Sequence, residues 1–302
     1  MGHTGSVPSP VLVLVNSPVL PRDDSSSRPA IEIADPTSPH VSVLDLGVTR
    51  GDGIFETIMV TRGEAPAIDA HLARFASSAA LLDLPEPDPA VWREAVALAM
   101  SSHPTVDVLA VKLVLTRGVE GTGVPTAWAL AMPTKDFSAD RETGIRVVAL
   151  DRGYRHDVAQ TSPWLLQGAK TLSYAINSAA LREAGRRGAD DVIFTSSDGF
   201  VLEAPTASVL LRHGDRILTP PTEHGILHGT TQRRAFEFFA ARGYVTRALP
   251  VTRIDLERAD AVWLASSIRQ AVPVVELDGR PLQHDLELTR ALNAHLSLRD
   301  RD

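Results

Sequence analysis

Three lysines, Lys112, Lys135 and Lys170, stand in a chain that otherwise places arginine at its fixed positive positions. Lys170 lies in "QGAKTLSYAINSAALREAG" (167–185), among small and apolar residues where a helical pattern begins. A lysine amine condenses with a carbonyl and moves protons, which a guanidinium cannot do. At a reference pKa of ~10.4 the amine is protonated at neutral pH, so a chemical role needs that value lowered. Leu165, Leu166, Leu172 and Ala175 offer apolar surroundings for this. Alone, the stretch equally fits a helix-start lysine that snorkels to water. Four further stretches bear on that choice. "DGFVLEAPTASVLL" puts Glu203 at the end of a short strand, and "HGILHGTTQRRAFEF" puts Thr230 and Thr231 at a helix start. Backbone N–H groups and hydroxyls at a helix start suit a phosphate. "VWLASSIRQAVPVVELDG" places Ser266 and Ser267 after a buried strand, and "HLARF" offers Arg74, whose guanidinium fork matches phosphate oxygens. His71, in the same short stretch, reads as a packing residue.

An amine, a carboxylate, a phosphate cradle and an arginine are the parts that hold pyridoxal phosphate. Other chemistries fall away. The sequence has no GxxxxGK[ST] loop, no HExxH and no GxSxG elbow. "GDGIF" and "GVEGTG" lack the strand–GxGxxG–helix setting of a dinucleotide site. No histidine cluster reads as a metal site. With no cysteine, disulfides, thiolate metal sites and a cysteine nucleophile are excluded.

The chain of 302 residues carries a net charge of -7, which disfavours nucleic acid as a partner. It shows no signal-peptide pattern and no apolar run that would span a membrane, so a cytoplasmic location is expected.

The elements that must position these residues follow from periodicity. Strands are expected at 11–15, 53–60 and 144–151, in "DVLAVKLVLTRG" and in "AWALAMP". Residues 17–40, rich in Ser, Pro and Asp, read as an irregular insertion. "DAHLARFASSAALLDL", with Asp69 as N-cap, and "PAVWREAVALAM" read as helices. Residues 152–164 are polar and irregular and mark the domain boundary, giving domains 1–155 and 156–302. Beyond it, a helix is expected over 171–187, with Leu172, Ala175, Ile176, Ala179 and Ala180 on one side. Tyr174 falls one turn after Lys170, facing either a ligand or the core. Strands "DDVIFT" and "FVLE", a hairpin turning at "HGD" and a helix ended by Gly243 come next. The mixture favours an α+β fold.

Residues 42–282, and 168–277 above all, resemble the class IV, fold type IV pyridoxal-phosphate enzymes. "GDGIFET…HLARF" matches the family's small domain, and the later motifs follow in family order and spacing. The resemblance implies a two-domain fold with a small α/β domain and a larger mixed domain carrying the lysine. It implies Lys170 as the Schiff-base lysine and Glu203 as the carboxylate facing the pyridine nitrogen. It implies Arg74, Thr230, Thr231 and Ser267, with Ser266 beside it, as cofactor-phosphate ligands. A homodimer acting on a small amine or amino acid is implied too. Two departures stand out: "EAPTAS" where the family often has E-G-x-x-x-N, and Leu46 where an arginine is commoner.

Within the family, "LTRGVEGTGVPTAW" lacks the Arg-x-His carboxylate trap typical of D-amino-acid transaminases. "SPWLLQGAKTLSYAINSAALREAG" and "ILHGTTQ" look like the lyase branch. The expected activity is that of a 4-amino-4-deoxychorismate lyase, releasing pyruvate and 4-aminobenzoate for folate synthesis. A transaminase acting on D-amino or other small amino acids is the alternative, and a non-catalytic cofactor-binding protein a third reading.

Overall fold

The structure is a computed structural model that describes residues 9–21 and 28–297. The chain forms two compact units. Of the described residues, the first holds 9–21, 28–135 and Ala169–Ser173; the second holds Asp136–Gly168 and 174–297.

The first unit contains β1 (Val11–Val15), β2 (Ile31–Ala34), the short α1 (Leu46–Thr49), β3 (Gly53–Thr61), α2 (Ile68–Leu81), α3 (Pro89–Ser102), β4 (Val108–Thr116) and β5 (Thr126–Pro133). Its strands form an antiparallel sheet in the order β2-β1-β5-β4-β3. Side chains alternate across β3. Ile54, Ile58 and Val60 face inward and are buried, and Glu56 shares their face. Phe75 of α2 packs edge-to-face on Trp92 of α3 at 4.9 Å. The Asp88 carboxylate caps α3 by accepting from the N–H groups of Ala90 and Val91.

Two expectations are corrected in this unit. Residues 17–40 are not irregular throughout: Ile31–Ala34 is a strand paired antiparallel with β1, its apolar Ile31 and Ile33 alternating with Glu32. Residues 22–27 of that stretch lie outside the described residues. Asp69 does not cap α2, which starts at Ile68 without a side-chain cap. Asp69 sits instead in the first turn, where a negative charge suits the helix dipole, and pairs with Arg93.

The second unit contains α4 (Ser138–Thr143), β6 (Ile145–Asp151), α5 (Val158–Thr161), α6 (Ala175–Arg186), β7 (Asp191–Thr195), β8 (Ser208–His213), β9 (Arg216–Thr219), α7 (Thr230–Ala240), β10 (Val245–Ala248), α8 (Arg253–Glu257), β11 (Ala261–Ser266), β12 (Gln270–Leu277), β13 (Arg280–Pro281) and α9 (Leu286–Leu296). The sheet order is β10-β9-β8-β11-β12-β6-β7, with β13 beside β12. β6 runs parallel to β7 and β12, while the β8–β9 and β11–β12 pairs are antiparallel hairpins. Trp263 is fully buried, and its indole N–H donates to Thr289 Oγ1 at 2.7 Å. One antiparallel sheet and one mixed sheet, each with helices on it, make the fold α+β.

The division differs from a boundary at 155/156. β6 belongs to the second unit because both its strand partners lie there. The five residues around Lys170 belong to the first unit because they hydrogen-bond to β3. The helix expected from 171 starts at Ala175, and its buried residues are Ala180 and Ala184; Ile176 is 65% exposed. Residues 152–164 hold α5 and the start of a 3-10 turn at Pro163–Leu165. "FVLE" makes isolated bridges rather than a ladder, although Leu202 N–H donates to Phe194 O and Phe194 N–H to Glu203 O. Among the described residues no helix is long and apolar enough to cross a membrane.

Candidate active site

In the first unit Lys170 sits on a short extended segment laid along the outer edge of β3. Thr171 bridges Ile54, Phe55 N–H donates to Lys170 O at 3.0 Å, and Leu172 N–H donates to Gly53 O at 2.8 Å. Lys170 N–H donates to Ser78 Oγ on α2 at 3.1 Å. The lysine backbone is therefore fixed from two sides, by a sheet edge and by a helix. Gly53 permits this approach: a Cβ there would lie 2.8 Å from both Leu115 O and Leu172 Cδ1. Nζ of Lys170 stands 4.3 Å from the centroid of the Phe55 ring, a cation–π distance.

Beneath this segment, on the α2 side of the sheet, lies a charge cluster that sequence reasoning saw only in part. Arg74 Nε donates to Glu56 Oε1 at 2.6 Å, and its Nη2 donates to Oε2 at 2.8 Å. His71 Nδ1 faces Oε2 at 2.7 Å. Glu56 is 0% exposed. Burial pushes its carboxyl up, but the Arg74 charge and the hydrogen bonds from Arg74 and His71 outweigh that and hold it well below the carboxylate range. His71 is pushed down, first by burial and then by the Arg74 and Lys170 charges, against the pull of Glu56. A neutral imidazole then donates from Nδ1 to the carboxylate. The fork to Glu56 uses one edge of the guanidinium, which has further donors. Glu56 was missed, yet it leaves a signal: a glutamate at an inward position of an alternating apolar strand, Ile54-x-Glu56-x-Ile58.

In the second unit Glu203 lies in a cleft lined by Arg152, Tyr154, Asn177, Phe194 and Ile226. Its Oε2 accepts from Leu227 N–H at 3.2 Å. The turn after it is pinned at the Pro205 carbonyl, which accepts from Tyr174 O–H at 2.5 Å and Asn177 Nδ2 at 2.9 Å. Tyr174 thus occupies the position before α6 and braces the Glu203 turn. Arg152 donates to Asn177 Oδ1 at 2.8 Å and to Tyr154 O–H at 3.2 Å, and Tyr154 donates to Gln167 Oε1. Arg152 and Tyr154 fall in the stretch 152–164 read as a domain boundary.

Thr230 and Thr231 are the first two residues of α7, both buried, following Gly229 as N-cap. Thr230 Oγ1 meets Ser267 Oγ at 3.4 Å. The unit thus brings Thr230 and Ser267 together at the first turn of α7. Ser266 ends β11 in register with Gln270. Gly229 packs closely here, since a Cβ on it would drive into Ser208 Oγ. Ser208 is the position at which the sequence departs from the family's asparagine. Its small hydroxyl, and the turn closed by Ala204 N–H to Ala207 O at 2.8 Å, fit that contact.

The α+β frame of two sheets is that of a pyridoxal-phosphate enzyme of fold type IV. The chain belongs to the amino-transferase class IV family, whose model matches residues 53–277. It is 45% identical over 264 residues to the bifunctional aminodeoxychorismate lyase / D-amino acid transaminase of Mycobacterium tuberculosis, covering 83% of this chain and 90% of that protein. A fold IV transaminase from Curtobacterium pusillum superposes with a TM-score of 0.92 at 52% identity, covering 95% of this chain and 97% of that one. The pyridoxal-phosphate-bound form of a hypothetical aminotransferase from M. tuberculosis gives 0.87 at 39% identity, covering 97% and 100%. The cofactor of the family is pyridoxal 5'-phosphate.

Proposed function

We propose that this chain is a 4-amino-4-deoxychorismate lyase that uses Lys170 to move the proton at the amine-bearing carbon of its substrate. The observation that carries the reading is the fixing of Lys170, by Ser78 on one side and β3 on the other, so that its amine has one defined place over Phe55. Similarity to the M. tuberculosis lyase / transaminase supports the choice of substrate.

When bound, the cofactor supplies an electron sink for the carbon next to the substrate amine. Lys170 would anchor it and then serve as base and acid at that carbon, a proton transfer worth roughly 10²–10⁴ in rate. Glu203 would face the ring nitrogen and keep it protonated, its orientation held by Leu227 N–H. Thr230, Thr231 and Ser267 would take the phosphate with the start of α7, and Arg74 would add positive charge from its place against Glu56. In the lyase reaction the enolpyruvyl group leaves as pyruvate while the ring becomes aromatic. The protein's task is chiefly to position the proton donor and acceptor.

A second reading, transamination of D-amino acids, is favoured by the other half of the M. tuberculosis protein's name and by the likeness to the C. pusillum transaminase. It uses the same Lys170 and returns the proton elsewhere. We also read the chain as a homodimer, on the exposed apolar side chains Val43, Leu44 and Val48 in the first unit and Trp164 and Ile176 in the second.

One side-by-side assay tests the choice: pyruvate and 4-aminobenzoate release from aminodeoxychorismate, against keto-acid formation from D- and L-amino acids. Lyase turnover is expected. Transamination alone would replace the first reading by the second, and neither activity in cofactor-loaded protein would sink both.

A further inference from the structure

Ser267 opens a short turn, 267–269, that joins β11 to β12, with Ser266 and Gln270 paired across its base. Gln270 is buried and takes φ +60°, in the left-handed region that favours glycine. A glutamine keeps that backbone only where its surroundings fix it. α9 supplies part of the hold. Gln270 Nε2 donates to Ser297 Oγ at 2.7 Å. The Asn293 side chain accepts from Ala271 N–H at 2.9 Å and donates to Ala271 O at 2.8 Å. These bonds act where the turn enters β12.

The turn itself is held by Arg269, its last residue. Nη2 of Arg269 donates to Asp191 Oδ2 at 2.5 Å. Asp191 opens β7, two strands from β12 in the sheet order, and is 1% exposed. Its other oxygen accepts from Val192 N–H at 2.7 Å. Arg269 O accepts from Arg141 Nη1 at 3.4 Å. A carboxylate so deeply buried is costly without a cation beside it. The Arg269 side chain reaches past β6 to supply one. A tie between β12 and β7 does not call for this pair, because β6 already hydrogen-bonds to both strands. What the pair adds is a fixed point on the turn, two residues from Ser267.

We infer that Arg269 is a positioning residue for the phosphate site: anchored on Asp191, it sets the turn that holds Ser267 Oγ 3.4 Å from Thr230 Oγ1 at the first turn of α7. This deepens the proposed function and rests on its assignment of Thr230 and Ser267 to the cofactor phosphate. Arg269 acts through the turn, since its guanidinium is directed to a carboxylate on β7.

The test is the preference of the apoprotein for pyridoxal phosphate over pyridoxal, which lacks the phosphate, read from the visible band on titration. Ser267→Ala should lower that preference by roughly 10-fold, the worth of one hydrogen bond to a charged group. Arg269→Met should lower it by a similar factor, with the affinity for pyridoxal little changed. Arg269→Lys, which keeps a cation beside Asp191, should recover most of it. Because Arg269 acts through Ser267, Arg269→Met combined with Ser267→Ala should lose no more than Ser267→Ala alone. A merely structural ion pair would lower Tm and weaken both ligands alike. Where Arg269→Met fails to fold because Asp191 is left buried without its cation, adding Asp191→Asn removes that charge, and the pair of changes should show the same loss of preference. An unchanged preference in the folded Arg269 variants, or losses that multiply in the combination with Ser267→Ala, overturns the inference. Full preference in Ser267→Ala would end the assignment of Ser267 to the phosphate and take the inference with it. A loss in Ser267→Ala without one in Arg269→Met would sink the inference alone.

Discussion

Arg74 and Glu56 form a two-point ion pair inside the first unit, Nε to Oε1 at 2.6 Å and Nη2 to Oε2 at 2.8 Å, with the carboxylate sealed from solvent. Glu56 comes from β3 and Arg74 from α2, so the pair ties a helix to the strand that also carries the lysine segment. Removing one partner of a buried pair leaves the other uncompensated. Glu56→Gln is expected to lower stability by about 3–5 kcal/mol. Urea unfolding followed by circular dichroism would measure it. A loss below 1 kcal/mol would mean that the pair is not the tie that its geometry suggests.

The same cluster sets an acid limit. Glu56 has a folded pKa below its ordinary 4.5, so its contribution is fully present above that value and is lost as pH falls toward the folded one. His71 is also shifted down from 6.5, which means that the unfolded chain takes up its proton first. Stability should therefore be flat above about pH 6.5 and fall below it, first through His71 and then through Glu56. His71→Asn removes the first of these. Comparing unfolding midpoints at neutral and mildly acid pH should show a smaller acid loss in the variant than in the wild type. An equal loss would place the titration elsewhere.

Ser78 reaches Lys170 across 92 positions of sequence, its Oγ accepting the lysine backbone N–H at 3.1 Å. Ser78→Ala should cost about 1 kcal/mol of stability and loosen the lysine. We expect kcat to fall roughly tenfold, since small misplacement of a catalytic group is costly, and KM to change less. Ser78→Thr, which keeps the hydroxyl, should recover most of the loss. If both variants turn over like the wild type, the lysine is held by β3 alone.

Lys170 itself gives the clearest expectation. Lys170→Ala should reduce turnover by at least about 10³-fold while leaving Tm within a few degrees of the wild type. Borohydride reduction of the loaded wild type should fix the cofactor on Lys170 and erase the visible band, as peptide mapping would show. Full activity in Lys170→Ala would end the assignment.

How much of this was legible beforehand depended on the range over which each signal acts. β3 and its Gly53 were readable because alternation and a turn are local. Lys170 was readable as a residue but not as a place. The apolar pattern after it suggested a helix, whereas hydrogen bonds to Gly53 and Phe55, far away in sequence, hold it extended. Tertiary pairing overrode local periodicity there. Ser78 gave no signal at all, since a serine in a helix of small residues looks like filler until the lysine backbone arrives. Arg152 and Tyr154 were hidden for the opposite reason: polar residues in irregular chain look like a linker, and only packing on Phe194 and bonding to Asn177 make them walls of the Glu203 cleft. The exposed Ile176 shows the limit of helical-face arguments, because apolar spacing cannot say which partner the face meets.

Gly229 and Ser208 allow a test by complementary change. The glycine precedes Thr230 at the start of α7, and a methyl group there would collide with Ser208 Oγ and press on Gln232 Cβ at 3.0 Å. Gly229→Ala should therefore shift the helix start and misplace the Thr230 and Thr231 donors. The affinity for pyridoxal phosphate, read from the visible band on titration of the apoprotein, should fall by roughly 10- to 100-fold. Ser208→Ala removes the hydroxyl that the new methyl meets, leaving its Cβ 3.3 Å away. The double variant should then bind the cofactor better than Gly229→Ala alone, although Gln232 keeps it short of the wild type. Ser208→Ala by itself should bind normally, because Ser208 acts here through its size. If the double variant is no better than the single, the lost affinity comes from the backbone preference of the residue before the helix, and the tight contact with Ser208 is not what shapes the cradle.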